Sequence, residues 1–319
     1  MDRTDKGPEA TPAGAGGAAG VAVPRRDVRS WLRKALRTLW SVTKAVALRA
    51  DRHQVMARAS NFAYSAFIGT VPVLFVLVSL IGLLGSPQAY NDLLDEFSSQ
   101  IPDDLESVLR SALTAVSSNQ SSAVLFLVVG VLGGLWQAGN VMGVVLEGLR
   151  TAQGRPGSPW VRGKLHALGA AVFAALGASV VTLAIIGSAK AAEGFVRLVG
   201  GGQRTSHIAQ NGVLWTGRVL LGVGLFILYW YQPKRPGSRS VVAVLIGTVF
   251  AAGTWLAATR LFTLYVDNFG RYNVVYGSLG AIVVYMIFLW MTGLLVLLGG
   301  EVVAEIEARR SHGREQHGP

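Results

Sequence analysis

Apolar residues in this chain gather into long runs instead of alternating with polar ones. Runs near residues 62–84, 123–148, 166–188, 213–231, 241–265 and 276–300 are each about the length needed to cross a bilayer. A helix rises about 1.5 Å per residue, so about 20 apolar residues span a hydrocarbon core about 30 Å thick. No water is present there to satisfy backbone N–H and C=O groups, which leaves the α-helix as the form such runs adopt. The pattern predicts an all-α, polytopic membrane bundle of about six transmembrane helices. Pro72 in the first run and Gly133, Gly134, Gly139 and Gly143 in the second are compatible with it, because spanning helices tolerate these residues where neighbours satisfy the freed backbone groups.

Outside the runs, two stretches show helical periodicity. Over 28–47, Val28, Leu32, Ala35, Leu36, Leu39, Trp40 and Thr43 recur at helical spacing while Arg29, Arg33, Lys34 and Arg37 take the remaining surface. An amphipathic helix follows, with two placements open: flat on the inner membrane surface against anionic headgroups, or packed on the bundle from the cytoplasm. Between the first two runs, Tyr90, Leu93, Leu94 and Phe97 make one apolar face, Pro102 interrupts, and Leu105, Val108, Leu109, Ala112 and Val116 make another. Asp103, Asp104 and Glu106 open the second, where the positive end of a helix favours acids. Two short helices capping the outer face are expected. Residues 1–23 are rich in Gly, Ala and Pro and can bury almost nothing, so they read as a disordered tail, without the compact apolar core of a secretory signal. The organisation expected is a tail (1–23), a basic amphipathic segment (24–58), a spanning domain (59–307) with an outer cap (85–122), and a second tail (308–319).

Composition supports lipid as the solvent: of 319 residues, 51% are hydrophobic and 15% charged, and the mean hydropathy is +0.43. The formal charge of +11 matters through its distribution. Ten Lys and Arg residues from Arg25 to Arg58 precede the first run. Arg150, Arg155, Arg162 and Lys164 follow the second, Lys234, Arg235 and Arg239 the fourth, and Arg309, Arg310 and Arg314 the sixth. The alternate loops are poorer; residues 85–122 hold Arg110 among six acidic residues. Positive charge stays on the cytoplasmic side, so both termini are expected in the cytoplasm of a bacterial cell. There is no cysteine, which excludes disulfides, thiolate metal sites and cysteine nucleophiles.

Particular residues carry a family likeness. The segment Ala59–Ser60–Asn61–Phe62–Ala63–Tyr64–Ser65 followed by Pro72, then Trp136 and Asn140, then Phe262, Tyr265, Tyr272, Asn273, Tyr276, Gly277, Ser278 and Leu279, and finally Trp290 and Leu297–Leu298–Gly299–Gly300–Glu301, resemble the YihY/BrkB family of bacterial inner-membrane proteins. The likeness covers roughly residues 45–307. Val302 and Val303 depart from the family pattern, which more often has Asn soon after the glutamate. The resemblance implies a six-span bundle with both termini inside. Members have been labelled ribonuclease BN or a serum-resistance virulence factor, and lipid or envelope-precursor transport has been suggested for the family.

Polar groups inside spans are costly, at about 2.5–3.5 kcal/mol for a central charge on insertion scales, and so mark candidate sites. Arg58, Asn61 and Ser65 share a face near the inner end of the first span, as do Gln137, Asn140 and Glu147 in the second; Glu301 and Glu305 sit at the inner end of the sixth. One reading pairs Arg58 with Glu147 or Glu301 in a polar cavity. The other leaves the charges at the headgroups and has Asn61 and Asn140 bond between helices. Toward the outer side, Arg218 and Arg260 lie at matching depth near Tyr272, Asn273 and Tyr276, a set suited to gripping a phosphate, although each arginine alone can also snorkel to the interface. His53, His166, His207, His312 and His317 are scattered, and no HExxH, GxSxG or phosphate-loop pattern occurs, so no catalytic site, metal or cofactor is expected. Membrane lipids are the expected partners and nucleic acid is not. Two functions fit: transport or flipping of an amphipathic lipid-like substrate, or a scaffold for envelope assembly.

Overall fold

The apolar runs fold as the helices their solvent demands. The computed structural model of the chain describes residues 28–84, 120–177, 203–232, 240–269 and 273–315, and these are helical apart from short connections. Helix α1 spans Val28–Arg52, α2 Val55–Leu84 and α3 Gln120–Ala152. Helix α4 is described over 160–177, and α5 (Gln203–Tyr231), α6 (Val241–Phe269) and α7 (Asn273–Glu315) are the remaining helices among the described residues. Among the described residues, those from Val42 onward form one compact unit, separate from those before it. Among the described residues, four helices are long and apolar enough to cross a membrane, with the relevant stretches at Val55–Ser79, Ala123–Ala152, Val241–Val266 and Gly280–Ser311. The third expected span is described only to residue 177, and the fourth lies within α5. The expected tail over 1–23 and the outer cap over 85–119 fall outside the described residues.

The distribution of side chains is that of a protein dissolved in lipid. Leu132 on α3 is 64% exposed and Val249 on α6 70%, whereas Ser79, Gln232 and Glu301 are each at most 1% exposed. Apolar residues outside and polar residues inside would be a severe liability in water.

Helix α7 packs against α2, α3, α5 and α6. Hydrocarbon tails are as apolar as leucine, so helices here associate through close packing and internal hydrogen bonds. Glycines in α7 permit both. A methyl at Gly299 would overlap the Tyr229 hydroxyl of α5 and Ala251 of α6, and one at Gly300 would overlap Leu149 of α3. Seated in that notch, Tyr229 donates its hydroxyl to the Val296 carbonyl at 2.7 Å. Around it Leu149, Val145, Leu225, Val244, Ala251 and Val303 form the buried core. Farther along, Gly130 and Gly133 of α3 admit Pro72 of α2 in the same way.

The connections at this end of the bundle are short and closed by identifiable bonds. Between α1 and α2 the chain turns at Gln54, which adopts φ 52°. Helix α3 ends in a Schellman motif: Gly154 has φ 63°, Gly154 N donates to Thr151 O at 2.9 Å, and Arg155 N donates to Arg150 O at 3.0 Å. Ser240 caps α6, its Oγ accepting from Ala243 N at 3.3 Å. These stops bring the start of α2, the end of α3 and the Glu301 region of α7 together.

The glycine notch makes a quantitative demand. Gly299→Val should destabilise the bundle by about 3 kcal/mol, the upper part of the range for overpacking. Gly253 of α6 meets nothing within 4 Å, so Gly253→Ala should leave stability unchanged or raise it. Thermal melting of the two variants in the same detergent checks both; equal midpoints for Gly299→Val and wild type would contradict the packing.

Candidate functional site

Two polar assemblies stand at the end of the bundle just described, called here the basic end. The first is built on α7. Glu301, Glu305 and Glu307 are all buried, Glu301 to 1% exposure. Burying carboxylates is costly unless partners replace water, and here they do. Arg49 Nε donates to Glu301 Oε2 at 3.2 Å, and His53 Nδ1 lies 2.5 Å from Glu301 Oε1. Arg49 also reaches Glu305 at 3.5 Å and donates to the Ala152 carbonyl at 2.5 Å, where a cation suits the negative end of α3. Arg309 closes on Glu305 at 2.7 Å. Glu307 accepts from Gln153 Nε2 at 3.0 Å and from Ser240 N at 3.2 Å. The network binds the α1–α2 junction, the end of α3 and the start of α6 to one stretch of α7.

The second assembly is a cleft between α3 and α4. Gly139 and Gly143 of α3 face Leu168 and Ala167 of α4 at ordinary contact distance, so the helix backbones run close. Beside that contact opens a cavity of about 260 Å³, lined by Asn140, Glu147 and Arg150 from α3 and by Trp160, Lys164 and His166 from α4. Positions 140, 143, 147 and 150 recur on one face of α3. A chain of hydrogen bonds holds the deep end: Gln137 Nε2 donates to the Ser65 carbonyl of α2 at 3.4 Å, Asn140 donates to Gln137, and Lys164 donates to Asn140. The Lys164 ammonium also stands 4.0 Å from the centroid of the Trp136 ring, an attraction that strengthens where water is scarce.

The structure thus gathers only part of the set that the sequence singled out. Arg58 pairs with neither Glu147 nor Glu301: its Nε donates to the His53 carbonyl at 3.1 Å and its guanidinium to Thr151 Oγ1 at 3.1 Å. It locks the α1–α2 junction to the end of α3. Glu301 is instead paired with Arg49 and His53. Asn61 is exposed on α2. Asn140 and Glu147 do share one cavity. Arg218 lies over Trp215, its guanidinium 5.0 Å from the ring centroid, and Arg260 is exposed on α6. Tyr272 lies outside the described residues, as do the side chains of Asn273 and Tyr276 in the first turns of α7.

Arg49, His53 and Lys164 were not singled out as site residues. A signal for the first two existed: Arg49 and His53 are four residues apart, as are Glu301 and Glu305, so each pair presents one helical face to the other. Lys164 offered none, because a lysine beside a basic loop reads as a topology signal. Among the described residues, no group of three or more His, Asp or Glu side chains is placed to hold a metal ion.

Removing one partner from a buried ion pair strands the other, at a cost of about 3–5 kcal/mol. Arg49→Met should therefore lower stability by about 3 kcal/mol, and the Arg49→Met/Glu301→Met double variant should recover part of the loss. A double-mutant cycle on melting in detergent measures the coupling; strictly additive losses would show that the pair does not act as one.

Comparison with known proteins identifies the family. The family described as "Virulence factor BrkB" matches residues 46–319. A "Putative ribonuclease-like protein YfkH" of Bacillus subtilis is 26% identical over 275 residues, covering 85% of this chain and 96% of that protein. A "UPF0761 membrane protein" of Psychromonas ingrahamii is 34% identical over 108 residues, 32% of this chain and 37% of its own length. Another from Acinetobacter baylyi is 33% identical over 89 residues, 28% of this chain and 21% of its own. No solved structure matches the chain. A helical bundle with lipid-facing apolar sides, spanning stretches of sufficient length and a family match over most of its residues make this chain an integral membrane protein of the BrkB virulence-factor family.

Proposed function

We propose that the protein moves an amphipathic, lipid-like substrate between the leaflets of the bacterial cytoplasmic membrane, with its basic end toward the cytoplasm. The α3/α4 cleft is the observation that carries this reading. It sets Lys164 of α4 beside Arg150 and Glu147 of α3, on helices that also carry exposed apolar side chains such as Leu132, Phe173 and Leu176. A charged hollow beside apolar helix sides suits a headgroup whose tails stay in hydrocarbon. Ionisable groups at membrane depth are costly and are retained chiefly where substrates or ions pass. In the same proposal, Arg218 and Arg260, with Tyr272, Asn273 and Tyr276, serve the headgroup at the opposite end.

Orientation is checked by labelling. The chain has no cysteine, and Arg52 is exposed, so Arg52→Cys supplies a single thiol. A membrane-impermeant maleimide should leave it unlabelled in intact cells and label it once the inner membrane is opened. Labelling in intact cells would reverse the orientation.

Transport is tested in proteoliposomes carrying fluorescent phospholipid, with an impermeant quencher reporting movement between leaflets. Wild-type protein should accelerate movement over empty vesicles. Gly143→Leu, which fills the cleft, and the Arg218→Gln/Arg260→Gln double variant should each lose about tenfold or more, equivalent to about 1.4 kcal/mol of barrier. Rates equal to those of empty vesicles would favour the second reading, a membrane scaffold for envelope assembly. The closed, ion-paired junction around Glu301 is the feature suited to that role, since it makes a rigid platform of the basic end.

A further inference from the structure

The cleft offers more than a positive hollow. Among the described residues no ion pair joins Glu147 or Arg150, although both line the same cavity. Lys164 is committed through its bond to Asn140 and its place over Trp136, yet an ammonium has three donors and keeps some for a ligand. Two cations and one carboxylate therefore meet in one small space. A purely anionic ligand would satisfy the cations and leave Glu147 facing like charge. A headgroup with a phosphate and an N–H-bearing cation satisfies all three.

Size and surroundings constrain the ligand further. The cavity of about 260 Å³ lies just below the range of about 300–1,000 Å³ typical of small-molecule sites. It has room for a headgroup and not for acyl chains. At His166 it adjoins an open strip of the α4 surface formed by Leu165, Gly169 and Ala170. Gly169 has open space before it, so an acyl chain can lie along this face without displacing protein.

We propose that the α3/α4 cleft binds a membrane phospholipid whose headgroup carries both a phosphodiester and a primary ammonium. Lys164 and Arg150 take the phosphate oxygens, Glu147 accepts the ammonium N–H groups, and the chains run past Leu165 and Gly169. A trimethylated ammonium has no N–H to give Glu147, and a glycerol headgroup has no cation. The assignment rests on the lipid reading above and adds the headgroup class to it.

The test uses the full chain in detergent, offered equal amounts of phosphatidylethanolamine, phosphatidylcholine and phosphatidylglycerol with matched acyl chains, with retained lipid read by native mass spectrometry. Wild type should retain the ethanolamine lipid about tenfold over the other two, the ratio one charge-assisted hydrogen bond can supply. Glu147→Gln should bring the ethanolamine and glycerol lipids to parity. Lys164→Gln and Arg150→Gln should each reduce retention of all three; Arg150, outside the Asn140 chain, keeps the test sound if Lys164→Gln melts early. Equal retention of the three lipids by wild type overturns the proposal. So does a preference for the glycerol lipid that Glu147→Gln leaves in place, or displacement of the ethanolamine lipid by equimolar free phosphoethanolamine. Selective retention without movement between leaflets removes the transport reading and keeps the site; movement of all three lipids without selective retention does the reverse.

Discussion

Close approach of neighbouring helices to α7 at Gly299 and Gly300 is the constraint on which the rest of the bundle depends. In a bilayer no hydrophobic force draws helix to helix, so contact must come from packing and from groups that hydrogen-bond inside. The two glycines let Tyr229 and Leu149 enter the surface of α7, and Ala251 reaches the same notch from α6. Once those side chains are seated, Glu301 is fixed one residue away from the notch and buried among its partners. The charge network is therefore a consequence of the packing, because Arg49 and His53 reach a carboxylate only where the helices have already closed.

Two kinds of polar arrangement result, and they differ in what they can do. Around Glu301 the donors and acceptors answer one another across four segments of chain, which favours rigidity. In the α3/α4 cleft the balance is incomplete: the deep end is held by the Ser65, Gln137, Asn140 and Lys164 chain, while Glu147 and Arg150 line open space. A satisfied network stabilises a bundle, whereas uncommitted charges beside a cavity are features of a binding surface. The reading of function follows that contrast.

Much of this was legible in the residues. The apolar runs identified a helical membrane protein, the segments around Asn61, Asn140 and Glu301 pointed to its family, and Asn140 and Glu147 were singled out on the face of α3 that lines the cleft. Of the two readings of Arg58, the pairing with Glu301 fails for a physical reason. Its depth matched that of Glu301, but depth is one coordinate; rotation about the helix axis gives Arg58 to Thr151 and the His53 carbonyl, and Glu301 to Arg49 and His53.

By itself, the sequence determined the solvent and the secondary structure, because both follow from local composition: apolar length selects the bilayer, and the bilayer permits only helices; its motifs pointed to the family. Tertiary structure alone decided which polar groups meet. Lys164 lies 24 residues from Asn140 and Arg49 lies 252 from Glu301, and no periodicity within one helix encodes how two helices are rotated against each other. That rotation is set by glycine notches and their occupants, a property of pairs of surfaces that exists only once the chain has packed.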